Sequence, residues 1–205
     1  KLVATQNVEM FASLGKFMLV ITGTTLFHGL VILPLLLWLL TRYSPITFLR
    51  KARPALLTAF ATSSSSATLP VTLNCLERDM GVPKDIANFV APLGAHMNMD
   101  GTALYEAGAA LFIAQLCGIE LTVLQQVIVC LTAMLVSVGA PGIPSAGMVT
   151  MVMVLQSVGL PVEAIAILLP IDRVLDTVRT AVNVEGDIAG SLVVQHFAND
   201  TLTQR

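Results

Sequence analysis

The chain has 205 residues, 55% of them hydrophobic and 12% charged, with a formal net charge of −2. A soluble domain carries about 25% charged residues, so half that share excludes ordinary water-soluble classes and points to lipid as the solvent. A slightly acidic balance gives no footing for nucleic acid, and no nucleic-acid partner is expected.

In chain order, residues 1–15 are mixed in character and read as the end of a preceding helix and a loop. They carry no positively charged n-region with a cleavage site, so no signal peptide is expected. Residues 17–41 contain no ionisable group except His28. Roughly 20 apolar residues cross a bilayer, which predicts a helix over 16–42, kinked at Pro34. A basic, proline-containing loop with Arg42, Arg50, Lys51 and Arg53 follows.

Residues 54–76 are uncharged, yet SSSSATLP sits in their middle. Each flank has about ten residues, and at roughly 1.5 Å per residue neither crosses a core about 30 Å thick. The pattern predicts a hairpin over 47–77 that enters the membrane, turns at the serines and returns. A surface loop, ERDMGVPK, leads to a helix over 86–117 broken around Asn98-Met99-Asp100-Gly101.

Residues 121–162 carry no charge, and their centre, SVGAPGIPSAG, holds two prolines and three glycines. No continuous helix accommodates that, so a second hairpin is predicted over 121–159. The last helix, 162–198, starts apolar and becomes charged, and a polar tail begins at Gln195. Cys75, Cys117 and Cys130 have no metal spacing and read as small buried hydrophobes. Basic residues cluster around the first hairpin and are absent around Glu120 and Glu163. The positive-inside rule then sends the first hairpin in from the cytoplasm and the second from outside. The fold class is an all-α, multi-pass protein of the cell membrane (plasma or inner), with transmembrane helices and two oppositely oriented re-entrant hairpins.

Irregular backbone at membrane depth has to face protein or a wet cavity, because each unpaired polar group costs several kcal/mol there. The two hairpin tips therefore suit a polar chamber for a small anion or zwitterion. In the last helix Asp172, Asp176, Arg179, Asn183 and Asp187 are spaced 4, 3, 4 and 4, on one helical face. Arg179 can hold a carboxylate bidentately, and Asp176 can accept hydrogen bonds from an ammonium. Together they suit an acidic amino acid; an internal Asp–Arg ladder is the plainer alternative. Asn98, Asp100, Asn183 and Asp187 offer the oxygen donors that small hard cations prefer. Glu106, in apolar surroundings, could carry a proton or pair with Arg179. With no Gly-x-Ser-x-Gly elbow and with His28, His96 and His196 dispersed, no enzyme is expected.

SSSSATLP, PLGAHMNMDGTALYEA, GIPSAG and DTVRTAVNVEGD together resemble the glutamate transporter family, the dicarboxylate/amino acid:cation symporters, from about Val8 onward. The resemblance implies a homotrimer of elevator transporters, with this chain as the second half: residues 16–205 form the transport domain and the scaffold helices are absent. It implies substrate contacts at Ser63, Ser65, Thr102, Ile143, Gly147, Asp176, Arg179, Thr180 and Asn183. It implies one sodium near Gly94, Asn98, Asn183 and Asp187, and a second at His96, Ser137, Val138 and Ala140. A third involves Asn98 and Asp100, and Glu106 matches proton-carrying members. The chain departs from the family pattern at His96 and Pro141, and Ser63 and Thr177 stand where members place a second arginine. The expected function is symport of glutamate or aspartate with Na+, with H+ as a second candidate coupling ion. An ion channel and a binding module without transport are the alternatives.

Overall fold

The structure, a computed structural model, describes residues 2–203, with side chains from 10 to 198. Its first helix, α1 (Leu2–Phe27), passes into a π turn (His28–Ile32) and then α2 (Leu33–Thr41). Pro34 has no N–H to donate and its ring crowds the preceding turn. The helix widens into the π turn just ahead of it and continues. Residues Met10–Thr41 are long and apolar enough to cross a membrane.

The loop expected within residues 1–15 is not there, because α1 runs unbroken from Leu2. Gly15 alone weakens a helix by only about 1 kcal/mol, and Leu14 and Phe17 on either side are core residues.

Helix α2 ends where Arg42 takes a left-handed conformation and its N–H reaches Trp38 O at 2.8 Å. Its guanidinium lies 5.2 Å from the Trp38 ring centroid. After two more residues α3 (Pro45–Thr62) begins with proline in its first turn, where the missing N–H is no loss. Most of the expected basic loop is therefore helix: Arg50, Lys51 and Arg53 all lie on α3.

The serine run supplies two caps back to back. Ser63 is left-handed (φ 52°) and its N–H closes α3 on Ala59 O at 2.8 Å. Ser64 is extended, and its hydroxyl accepts from Ala67 N–H at 3.1 Å, starting α4 (Ser65–Asn74). A second π turn (Cys75–Asp79) carries α4 to its end.

Helices α5 (Lys84–Met97) and α6 (Asp100–Leu116) are separated by Asn98 and Met99, neither with helical dihedral angles. Helices α7 (Val123–Ser137) and α8 (Ala146–Ser157) form the second hairpin. Thr122 and Gln125 make a reciprocal capping box at the start of α7. A 3-10 turn (Val162–Ile167) precedes α9 (Leu169–Thr203). The polar tail expected from Gln195 is still helical to Thr203, while Lys1 and residues 204–205 lie outside the described residues.

Helix α9 is the axis, packed against α1 to α6. Around its start, α1, α6, α7 and α8 bury Phe17, Tyr105, Ile113, Val129, Met151 and Leu155. Around its far half, α2 to α5 bury Leu37, Phe48, Leu76, Val184, Ile188 and Leu192. Ala52, Ala55 and Ala59 on α3 and Ala87 and Ala91 on α5 belong to this second cluster; small side chains let helix backbones come close. Asp176 and Arg179 lie along α9 between Leu175 of the first cluster and Val184 of the second.

Large apolar side chains cover the outside, Leu19, Ile46, Val123 and Leu135 each being more than 70% exposed. Such a surface suits hydrocarbon and not water. Cys75 is buried as expected, but Cys117 and Cys130 are exposed, sharing this outward position.

Candidate functional site

The two hairpin tips, the α5–α6 break and the middle of α9 converge on one cleft. It is lined by Ser63, Ser65, Met99, Thr102, Ala140, Pro141, Gly142, Ile143, Ala146, Gly147, Asp176, Arg179, Thr180 and Asn183. All nine residues expected to touch substrate are among them. The free space is about 10 Å³, room for about one water molecule. The tips are shut.

Arg179 dominates the chemistry. It is 2% exposed, its Nε donates to Asp176 Oδ1 at 2.8 Å, and its Nη1 lies 3.1 Å from Asp172 Oδ1. The Asp172 contact is a close ion pair without hydrogen-bond alignment, so Nη1 and Nη2 both lack an acceptor. The guanidinium carbon sits 4.3 Å from the Tyr105 ring centroid, a cation–π contact that fixes its plane. The internal Asp–Arg ladder is therefore formed. The ladder neutralises and orients the arginine, and leaves Nη2 with neither a hydrogen bond nor an ion pair.

Asp176 is shared. Its Oδ1 takes Arg179 Nε and, at 3.4 Å, the Thr180 hydroxyl; its Oδ2 accepts the Ser145 N–H of the second hairpin at 2.8 Å. Asn183 donates to the Thr102 hydroxyl at 3.0 Å and accepts from Gly101 N–H at 2.8 Å. Ser63 Oγ is buried without a partner. Ile143, by contrast, is 56% exposed, so it forms the outer lip.

For the cation residues the picture divides. The Asn98 amide reaches Asp187 Oδ1 at 3.3 Å and Asn183 O at 3.4 Å. Gly94 packs directly on the Asp187 carboxylate. These four form one oxygen-rich group, Asn183 and Asp187 buried and Gly94 and Asn98 half-buried, whose hard donors fit Na+. Asp100 turns away to His28 Nε2 at 3.2 Å, a pairing between distant residues that spacing could not show. Ala140 packs with Met99 and Ala146. His96 is exposed with Nδ1 on Pro92 O, the Ser137 hydroxyl binds Met134 O, and Val138 is 41% exposed. From these residues main-chain oxygens are what a cation could use.

Glu106 is fully buried, and Thr150 Oγ1 donates to its Oε1. The expected pairing with Arg179 is not formed, because Asp172 and Asp176 hold the arginine on its own helix. Sequence reasoning missed Met99 of the lining, and Tyr105 and Thr150 beside it. Only the neighbourhood of each within a motif could have signalled them.

Fold and site define an all-helical membrane protein built around a closed, charge-lined cleft. Residues 1–197 match the sodium:dicarboxylate symporter family, and the chain belongs to that family. It is 47% identical over 189 residues to an excitatory amino acid transporter of Caenorhabditis elegans, covering 92% of this chain and 38% of that protein. It is 47% identical over 203 residues to excitatory amino acid transporter 2 of Homo sapiens, covering 98% and 35%. Excitatory amino acid transporter 3 of Mus musculus matches at 47% over 204 residues, 100% and 39%. The chain thus spans less than two-fifths of the length of these relatives.

Proposed function

We propose that the chain is the substrate- and cation-binding half of a sodium-coupled symporter for acidic amino acids. The observation that carries this reading is Arg179, buried in the cleft with no acceptor on Nη2 and only the unaligned ion pair to Asp172 on Nη1. Those nitrogens take the side-chain carboxylate of glutamate or aspartate. Asp176 exchanges the Ser145 N–H for the substrate ammonium. Ser63, Ser65, Thr102, Thr180 and Asn183 surround the main-chain end, while Ile143 and Gly147 close over it.

The cleft holds no amino acid until the second hairpin moves out. Na+ at Asn98, Asn183 and Asp187 beside Gly94, and at main-chain oxygens of His96, Ser137, Val138 and Ala140, favours the shut form by differential affinity. A third Na+ at Asn98 and Asp100 requires Asp100 to leave His28. Both hairpins are re-entrant, from opposite faces, and residues 16–205 move as one elevator-type unit. Residues of the longer protein supply the scaffold and the homotrimer contact.

Isothermal titration of the purified chain with aspartate should give heat in sodium and none when choline replaces it. Equal heat in both salts would remove the coupling. Proton coupling through Glu106 predicts that uptake by Glu106→Gln loses its dependence on external pH while sodium still drives it. A pH profile matching the unsubstituted protein would exclude Glu106 as carrier.

A further inference from the structure

The tip of the second hairpin is fastened at two points of different character. Inside the cleft, Ser145 N–H donates to Asp176 Oδ2 at 2.8 Å. Behind it, Ser64 Oγ donates to Gly142 O at 2.7 Å, and Ser66 N–H donates to the same oxygen at 3.2 Å. Ser64 is 92% buried yet does not line the cleft. Gly142 does not have a positive φ, so conformational freedom is not why glycine stands there. A Cβ at 142 would lie 2.7 Å from Ser66 Oγ and 2.8 Å from Ala95 O. The glycine permits close approach, and Pro141 before it stiffens the backbone that presents its carbonyl. This end of the loop is a docking point and not a hinge.

We propose that Ser64 is a positioning residue: it clasps the Gly142 carbonyl and sets how often the second hairpin opens, without touching substrate. The proposal rests on the reading of the cleft as the substrate site. A substrate ammonium competes with Ser145 for Asp176, so that fastening differs between the empty and loaded shut forms. The Ser64 clasp is common to both. A contact that stabilises both forms equally leaves affinity unchanged; it slows entry and exit together.

Ser64 also caps α4, so the test uses Ser64→Gly, which retains capping to within a few tenths of a kcal/mol. Amide hydrogen exchange over residues 138–146 of the full chain, without substrate, should accelerate roughly 2- to 10-fold, the effect of one lost hydrogen bond. Aspartate association and dissociation rates should rise together by a similar factor, with Kd nearly constant. Ser64→Thr should restore both. Gly142→Ala, which leaves the cap intact and crowds Ser66, should accelerate exchange in the same segment, and decides the matter if Ser64→Gly does not fold. Exchange that accelerates only in residues 65–74 would overturn the clasp and leave a cap. So would a loss of affinity with unchanged exchange at 138–146. Faster exchange at the tip in a protein that does not bind aspartate even unsubstituted would sink the substrate reading and leave the clasp standing.

Discussion

Arg179→Ala should weaken binding of aspartate or glutamate by at least about 30-fold, because truncating one partner of a buried charge pair costs about 2–5 kcal/mol. The loss has two parts that separate experimentally. One is the bidentate contact from Nη1 and Nη2, which make no hydrogen bond within the protein. The other is the effect on Asp172 and Asp176, 2% and 3% exposed: Asp172 loses its ion pair and Asp176 keeps only the more distant Arg173 at 3.9 Å; that destabilises the fold by roughly 3–5 kcal/mol. A thermal shift reads the second part, and titration with acidic and neutral amino acids reads the first. Arg179→Lys keeps the charge but offers a point donor in place of a fork. It should recover most of the stability and only part of the affinity. If Arg179→Ala, still folded, binds aspartate as the parent does, the arginine is purely a structural tie and the proposed substrate class is wrong.

Asp187→Ala should raise the sodium concentration needed for half-maximal aspartate binding by about 10-fold or more, since altering even an outer partner of a metal site costs 10–100-fold. The carboxylate is 3% exposed, touched by the Asn98 amide and packed under Gly94. No basic side chain pairs with it among the described salt bridges. An acid so enclosed is costly unless something cationic joins it. Gly94→Ala offers an independent check: its Cβ would sit 2.5 Å from Asp187 Oδ1, displacing the carboxylate without removing it. A smaller rise in the same direction is expected there. Sodium titrations of aspartate binding in both variants measure this directly. Unchanged midpoints would place the cation elsewhere.

Much of the site was legible because helical spacing is rigid. Asp172, Asp176, Arg179, Asn183 and Asp187 had to share a face once their segment was helical, and both tips had to break once they held SSSS or two prolines. What spacing could not show was who faces whom. Spacing leaves Glu106 a proton carrier or a partner of Arg179, and it meets Thr150; Asp100 groups with the cation donors in sequence and meets His28. Ser64 looked interchangeable with its neighbours. Yet Ser63 ends one helix and faces the cleft, while Ser64 starts the next and faces the other hairpin.

By itself the sequence determined the solvent, the helices, their breaks and the polar face of α9. Those follow from charge density, run length and a 3.6-residue period, all local quantities. Only the tertiary structure decided that the two tips close on each other through Gly142. It also decided that Nη2 of Arg179 stays unmatched while Nε and Nη1 are held by Asp176 and Asp172, and which acids find donors. These outcomes depend on distances between segments up to 89 residues apart. Such distances are set by how closely helices pack across small residues, and no local pattern encodes them.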